Sequence, residues 1–171
     1  MKKILYILPL LFLTGCFMKN NDPQVSFDQL TIPTFNLLMQ DSVTVFNTDN
    51  IPNGKPVVLV LFGLNCPYCH EETNDLLRNM DSLKNVNFYF LTLDSLNKMK
   101  AFSAMHKLGN YSNITVGRDY ENFFPDFFQN VALPYSVVYD QNREIKAKFK
   151  GKVTASRIIK IINETNQASA N

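Results

Sequence analysis

Pro56 to Phe62 (PVVLVLF) is an unbroken apolar run rich in β-branched side chains, and Cys66-Pro67-Tyr68-Cys69 follows it closely. Apolar residues without alternation predict a strand buried on both faces, so material must lie above and below it. Beyond Cys69 the apolar positions Leu76, Leu77, Met80 and Leu83 keep helical spacing. The two cysteines therefore sit where a buried strand hands over to a helix. A chain of 171 residues is long enough to build a core around such a strand without disulfide staples.

That junction has a specific chemical use. A cysteine at a helix N-terminus meets free N–H groups and the positive end of the dipole, both of which favour the thiolate. Cys66 is so placed and is the expected attacking sulfur. Pro67 suits a first helical turn, where its missing N–H has no partner to lose. Cys69, one turn further in, is close enough to close a disulfide and is shielded from solvent. Two other readings of the pair are half of a zinc site and a pair of structural thiols. Tetrahedral zinc needs two more ligands, and the remaining Cys and His residues are Cys16, His70 and His106.

The rest of the chain supplies a sheet and its cover. Phe35–Met39 and Val43–Phe46 read as a hairpin around Gln40-Asp41-Ser42. Val86–Leu93 is the next strand, and Ser95–Leu108 a helix with Leu96, Met99, Phe102, Met105 and Leu108 along one side and Gly109 as its stop. Ile114–Val116 reads as a short strand and Asp119–Gln129 as an aromatic-rich helix containing Pro125. Tyr135–Tyr139 and Glu144–Phe149 pair around Asp140-Gln141-Asn142, and Val153–Ile162 is the last helix. The implied class is α/β: a central mixed sheet with helices on both faces and an N-terminal β-hairpin extension.

With these elements in order, residues 30–162 resemble the thioredoxin fold, and within it the TlpA/ResA-like thiol–disulfide oxidoreductases. The resemblance rests on the buried strand entering C-P-Y-C, on Glu72 three residues after Cys69, on Leu133-Pro134-Tyr135 before a strand, and on Lys150-Gly151-Lys152 between the last strand and helix. It implies a cis-Pro134 loop facing the active site, on which a substrate peptide can pair. It also implies that Cys66 is the nucleophile, that Cys69 resolves the mixed disulfide through a Cys66–Cys69 redox disulfide, and that Glu72 assists proton transfer. Pro67 and Tyr68, which tune the motif, form the dipeptide of glutaredoxins. This chain departs from the pattern at Asn65, where an aromatic residue is common, and at Val60, where a thioredoxin buries an acid. It has Thr73 and Asn74 where a helix-kinking proline is expected.

The third cysteine belongs to the front of the chain. Lys2 and Lys3 precede the apolar run Ile4–Leu13, which is too short to span a bilayer and suits a signal peptide. Leu13-Thr14-Gly15-Cys16 then resembles a bacterial lipobox, with cleavage before Cys16 and acylation of its thiol. The expected organisation is a signal peptide at 1–15, a lipid-anchored tether at 16–29, the thioredoxin-like domain at 30–162 and a polar tail at 163–171. Without Lys2 and Lys3 the 17 basic side chains fall to 15, equal to the 15 acidic ones, so the overall +2 charge belongs to the leader. Neutrality gives no case for nucleic-acid binding. The expected setting is the bacterial cell envelope, with the domain extracytoplasmic, in the periplasm. A monomer would act there on protein dithiol or disulfide substrates, served by a membrane or periplasmic redox partner, with no cofactor and no metal.

Two rivals use the same cysteines. Cys66 to His70 spells C-x-x-C-H, a c-type haem attachment signature. A cytochrome of that kind would be mostly helical, with its motif near the mature N-terminus. Alternatively Cys66, Cys69 and a histidine could hold Cu(I), as in thioredoxin-fold copper chaperones. Lys146, Lys148 and Lys150 alternate with apolar residues as on an edge strand with one wet face. Phe123, Phe124, Phe127 and Phe128 either pack on the sheet or line a substrate groove.

Overall fold

The computed structural model describes residues 31–129 and 131–168; the leader, Cys16 and the whole tether lie outside them. The strands are β1 (Asn36–Met39), β2 (Val45–Asn47), β3 (Val57–Phe62), β4 (Asn87–Thr92), β5 (Ile114–Arg118), β6 (Tyr135–Tyr139) and β7 (Ile145–Lys150). The helices are α1 (Pro67–Arg78), α2 (Met80–Leu83), α3 (Leu96–Met105), α4 (Phe123–Phe128) and α5 (Ala155–Ala168). One mixed sheet runs β2-β1-β5-β4-β3-β6-β7. β3 lies parallel to β4 and antiparallel to β6, and all six of its residues are buried. Successive strand residues point to opposite faces, so one strand feeds two cores. Val58, Val60 and Phe62 pack with α1, α2, α3 and α5, whereas Val57, Leu59 and Leu61 pack with α4 and the segment from Ile32 to Ile51.

The N-terminal hairpin joins this sheet through β1, which pairs antiparallel with β5. Its turn is held by Asp41, which accepts from Val43 N–H at 3.0 Å and Thr44 N–H at 2.8 Å. At the opposite edge, β7 turns Lys146, Lys148 and Lys150 outward, as the alternation predicts.

Three element boundaries differ from expectation by three residues or more. α3 stops at Met105, because Lys107 takes left-handed backbone (φ 52°), and Gly109 lies in a separate 3-10 turn. Met105 is 62% exposed. A repeat of exactly three residues slips about 60° around a helix per step, which carries Met105 to the side opposite Leu96. The aromatic helix is shorter than 119–129, because Asp119 acts before it as an acceptor and Asn122 is left-handed (φ 57°). Pro125 then falls in the first turn, where no N–H is required. α5 continues past Ile162 to Ala168, so the segment expected as polar tail begins as helix.

The four phenylalanines form packing rather than a groove. Phe124 and Phe128 are buried. Phe123 stacks on Phe35 (centroids 4.9 Å apart) and on Phe127 (5.4 Å).

Candidate active site

β3 ends at Phe62, and Gly63, Leu64 and Asn65 carry the chain to Cys66, the N-cap of α1. Three contacts fix this short loop. Cys66 N–H donates to Gly63 O at 3.2 Å, Leu64 N–H donates to the Asp94 carboxylate at 2.9 Å, and Leu64 O lies 2.8 Å from Nε2 of His70. Cys66 and Cys69 are joined as a disulfide, their Cα atoms 5.2 Å apart. Sγ of Cys66 accepts from Cys69 N–H at 3.1 Å, so a backbone donor at the head of α1 already points at the sulfur that would become the thiolate. Pro67 occupies the first helical position. Cys66 is half-buried and Cys69 only 1% exposed, so one cysteine can meet a partner and the other is screened, while Tyr68 between them is 60% exposed.

The Leu133–Pro134 bond is cis. Pro134 O accepts from Gly151 N–H at 2.9 Å. Gly151 has φ 90°, which a side chain would disfavour. Lys150-Gly151-Lys152 thus holds the proline loop from behind. Between that loop and the disulfide lies Gly63: a Cβ there would sit 2.9 Å from Leu133 Cδ1 and 4.0 Å from Cys66 Cβ. A cavity of about 240 Å³ opens at this point, bounded by Gly63, Leu93, Asp94, Val131 and Leu133. Leu133 and Leu93 are partly exposed at its rim, 44% and 38%.

Glu72 has no exposed surface. Its Oε1 accepts from Ser136 Oγ at 2.6 Å and its Oε2 from Val153 N–H at 2.9 Å. Burial raises its pKa above the ordinary carboxylate value, against the lowering effect of those two bonds. Ser136 is the β6 partner of Val60. A buried carboxylate on α1 is therefore fastened to β6, the strand beside β3. Ser136 and Val153 escaped sequence reading, and the only hint was a lone hydroxyl within the apolar strand YSVVY. Asp94 carries no such signal, and His106 is legible only as a possible ligand and not as the partner of His70, since the residues they meet are 30 and 36 positions away.

The ring nitrogens of His70 have partners other than the two sulfurs. Its Nδ1 lies 2.7 Å from Nε2 of His106 and its Nε2 faces Leu64 O. Both ring nitrogens are engaged, which leaves none for an axial haem bond or for a copper ion between the sulfurs. Among the described residues no cluster of three or more His, Cys, Asp or Glu side chains could hold a metal ion.

A model of the AhpC/TSA family matches residues 29–167. No curated protein sequence matches the chain. Among solved structures, a secreted Mycobacterium tuberculosis disulfide oxidoreductase homologous to E. coli DsbE superposes with a TM-score of 0.63 at 17% identity, over 76% of this chain and 95% of the other. A thiol:disulfide interchange protein of the thioredoxin family from Chlorobium tepidum gives 0.64 at 16% identity, over 79% and 94%. The reduced 2-Cys peroxiredoxin of Plasmodium vivax gives 0.66 at 18% identity, over 82% of each chain. At such identities the likeness establishes the fold, which is that of thioredoxin.

Proposed function

The chain belongs to the AhpC/TSA family, and from that premise we propose that it is a lipid-anchored, extracytoplasmic thiol–disulfide oxidoreductase acting on protein substrates. The observation that carries the reading is the Cys66–Cys69 disulfide at the head of α1, with Cys66 beside the cis-Pro134 loop and Cys69 buried behind it. The likeness to a disulfide oxidoreductase and a disulfide interchange protein supports it.

In the reduced protein the Cys66 thiolate attacks one sulfur of a substrate disulfide. A new S–S bond forms to Cys66, and the substrate's other sulfur leaves as a thiolate and takes a proton from water. Cys69 then attacks Sγ of Cys66. The mixed disulfide breaks, the substrate's second sulfur leaves as a thiolate and takes a proton from water, so the substrate departs as a dithiol, and the Cys66–Cys69 bond returns. Two electrons have passed from the protein to the substrate. Cys69 must lose a proton to attack, and Glu72, one turn along α1 and buried on the same side, accepts it. A separate dithiol partner re-reduces the protein. Run backwards, the same steps donate a disulfide. The cavity between Gly63, Leu93 and Leu133 receives an apolar side chain of the substrate next to its disulfide. Cys16 carries the lipid, residues 16–29 form the tether, and the domain faces the periplasm.

The test is reduction of insulin disulfides with a dithiol as recycling reductant. Cys66→Ser abolishes turnover, and Cys69→Ser accumulates a mixed disulfide visible on non-reducing gels. Full activity in Cys66→Ser, or turnover of peroxide without any disulfide exchange, overturns the proposal.

A further inference from the structure

His70 and His106 form a pair to which the exchange steps assign no role. His70 stands one helical turn after Cys66 on α1, and His106 is the C-cap of α3. Their ring centroids are 5.0 Å apart, and Phe102 packs on both, at 4.9 Å from His70 and 4.5 Å from His106. The facing nitrogens, Nδ1 of His70 and Nε2 of His106, are 2.7 Å apart. The outer nitrogens also have partners: Leu64 O at 2.8 Å from His70 Nε2, and Asn74 Oδ1 at 3.1 Å from His106 Nδ1.

Proton counting narrows what this pair can be. A carbonyl oxygen and an amide oxygen only accept hydrogen bonds, so both outer nitrogens donate. Two neutral imidazoles then have no proton left between them, and two lone pairs face each other across the 2.7 Å gap. One added proton closes the gap and satisfies all four nitrogens. A second would set N–H against N–H. The pair drawn by these contacts holds three ring protons and a charge of +1. A neutral pair would need Asn74 to turn its NH₂ toward His106.

The surroundings suit a single cation. On α1 the pair bonds Asn74, and Cys66, the N-cap, stands one helical turn before His70. From α3 it is faced by Phe102. From the loop after β4, Asp94 reaches Leu64 N–H and is itself paired with Lys98 at 3.2 Å. Among the described residues no carboxylate bonds either ring. His106 ends α3, where a positive charge is favoured by the helix dipole. Burial, and then the charge of His70, hold His106 below the ordinary histidine range, so a second proton is resisted.

We propose that His70 and His106 share one proton as a dyad that clamps the Leu64 carbonyl and sets a positive charge beside Cys66, so that Cys66 becomes more reactive as the dyad takes up its proton. The proposal deepens the exchange reading and depends on it for its use. His70 and His106 are positioning residues, acting through the loop and through charge.

Two measurements on the whole chain in detergent micelles test it. In the oxidised protein, ¹⁵N signals of the imidazoles are followed from about pH 8 to about pH 5, the range in which histidines titrate. Uptake of one proton, moving His70 Nδ1 and His106 Nε2 together, is expected; two independent protonations, or none, overturn the dyad. In the reduced protein carrying Cys69→Ala, alkylation at Cys66 is read by peptide mass. At about pH 6, His106→Gln slows it about three-fold, the size of one nearby surface charge, and at about pH 9 the variant and its parent converge. Equal slowing at both pH values marks a merely structural role and overturns the proposal, as does no slowing at either. Neither measurement reads protein-disulfide exchange. A chain that fails with insulin while its dyad titrates as described counts against the proposed function alone.

Discussion

Glu72 places a carboxyl group in a site without exposed surface, and its two hydrogen bonds, from Ser136 and Val153, do not offset the loss of water. Its proton is therefore held more tightly in the folded chain than in the unfolded one. Stability is highest below the ordinary carboxylate range and declines as pH rises through the raised value, because above it the folded state carries a buried charge. Glu72→Gln keeps an acceptor for Val153 N–H and offers an N–H to Ser136 Oγ. The variant is expected to be more stable than wild type by about 1 kcal/mol at neutral pH, with the gain vanishing near pH 4. Thermal melts at the two pH values check this. The same substitution should leave Cys66 alkylation unchanged and slow release of the mixed disulfide if Glu72 takes the Cys69 proton. The position of Glu72 relative to Cys69 is legible in the chain. Its burial is not, because Ser136 and Val153 lie 64 and 81 residues away.

Among the elements, α4 shows how a short helix is held. It has six residues and no side-chain cap of the usual kind. Asp119, buried after β5, accepts from Phe123 N–H at 3.0 Å and Phe124 N–H at 2.7 Å. These bonds seat Phe124 and Phe128 under β6, where Phe124 meets Tyr135 edge-on at 6.0 Å. Asp119→Ala leaves two donors unsatisfied and is expected to lower stability by about 1–2 kcal/mol, seen as a lower urea midpoint. Asp119→Asn retains one acceptor and should lose less. Periodicity located this helix but not its start, since the residue that opens it reaches back from outside it. The end of α3 differs from the expected one for a related reason: a glycine is a strong stop signal, yet Lys107 takes the left-handed turn first.

Across the whole molecule, β3 carries two cores and delivers Cys66 just beyond its C-terminal end, on the side of the proline loop that Gly151 holds. Among the described residues no helix is long and apolar enough to cross a membrane. Attachment as proposed then rests on acyl chains at Cys16, each buried CH₂ contributing about 0.8 kcal/mol. Detergent phase partition should carry the wild-type chain into the detergent phase and Cys16→Ser into the aqueous phase, with insulin reduction retained in both. An unaltered partition of Cys16→Ser would count against the anchor.

The sequence alone determined the fold class, the buried strand, the helix after it and the two sulfurs between them. These follow from local spacing: an apolar run, a helical repeat and two cysteines one turn apart constrain their own neighbourhood. Tertiary structure decided what each polar group near the sulfurs meets. It brought Ser136 to Glu72, Asp94 to the Leu64 loop and His106 to His70, and it buried Phe124 and Phe128 of α4. Such partners are chosen by strand order and helix packing, which no short stretch of chain encodes.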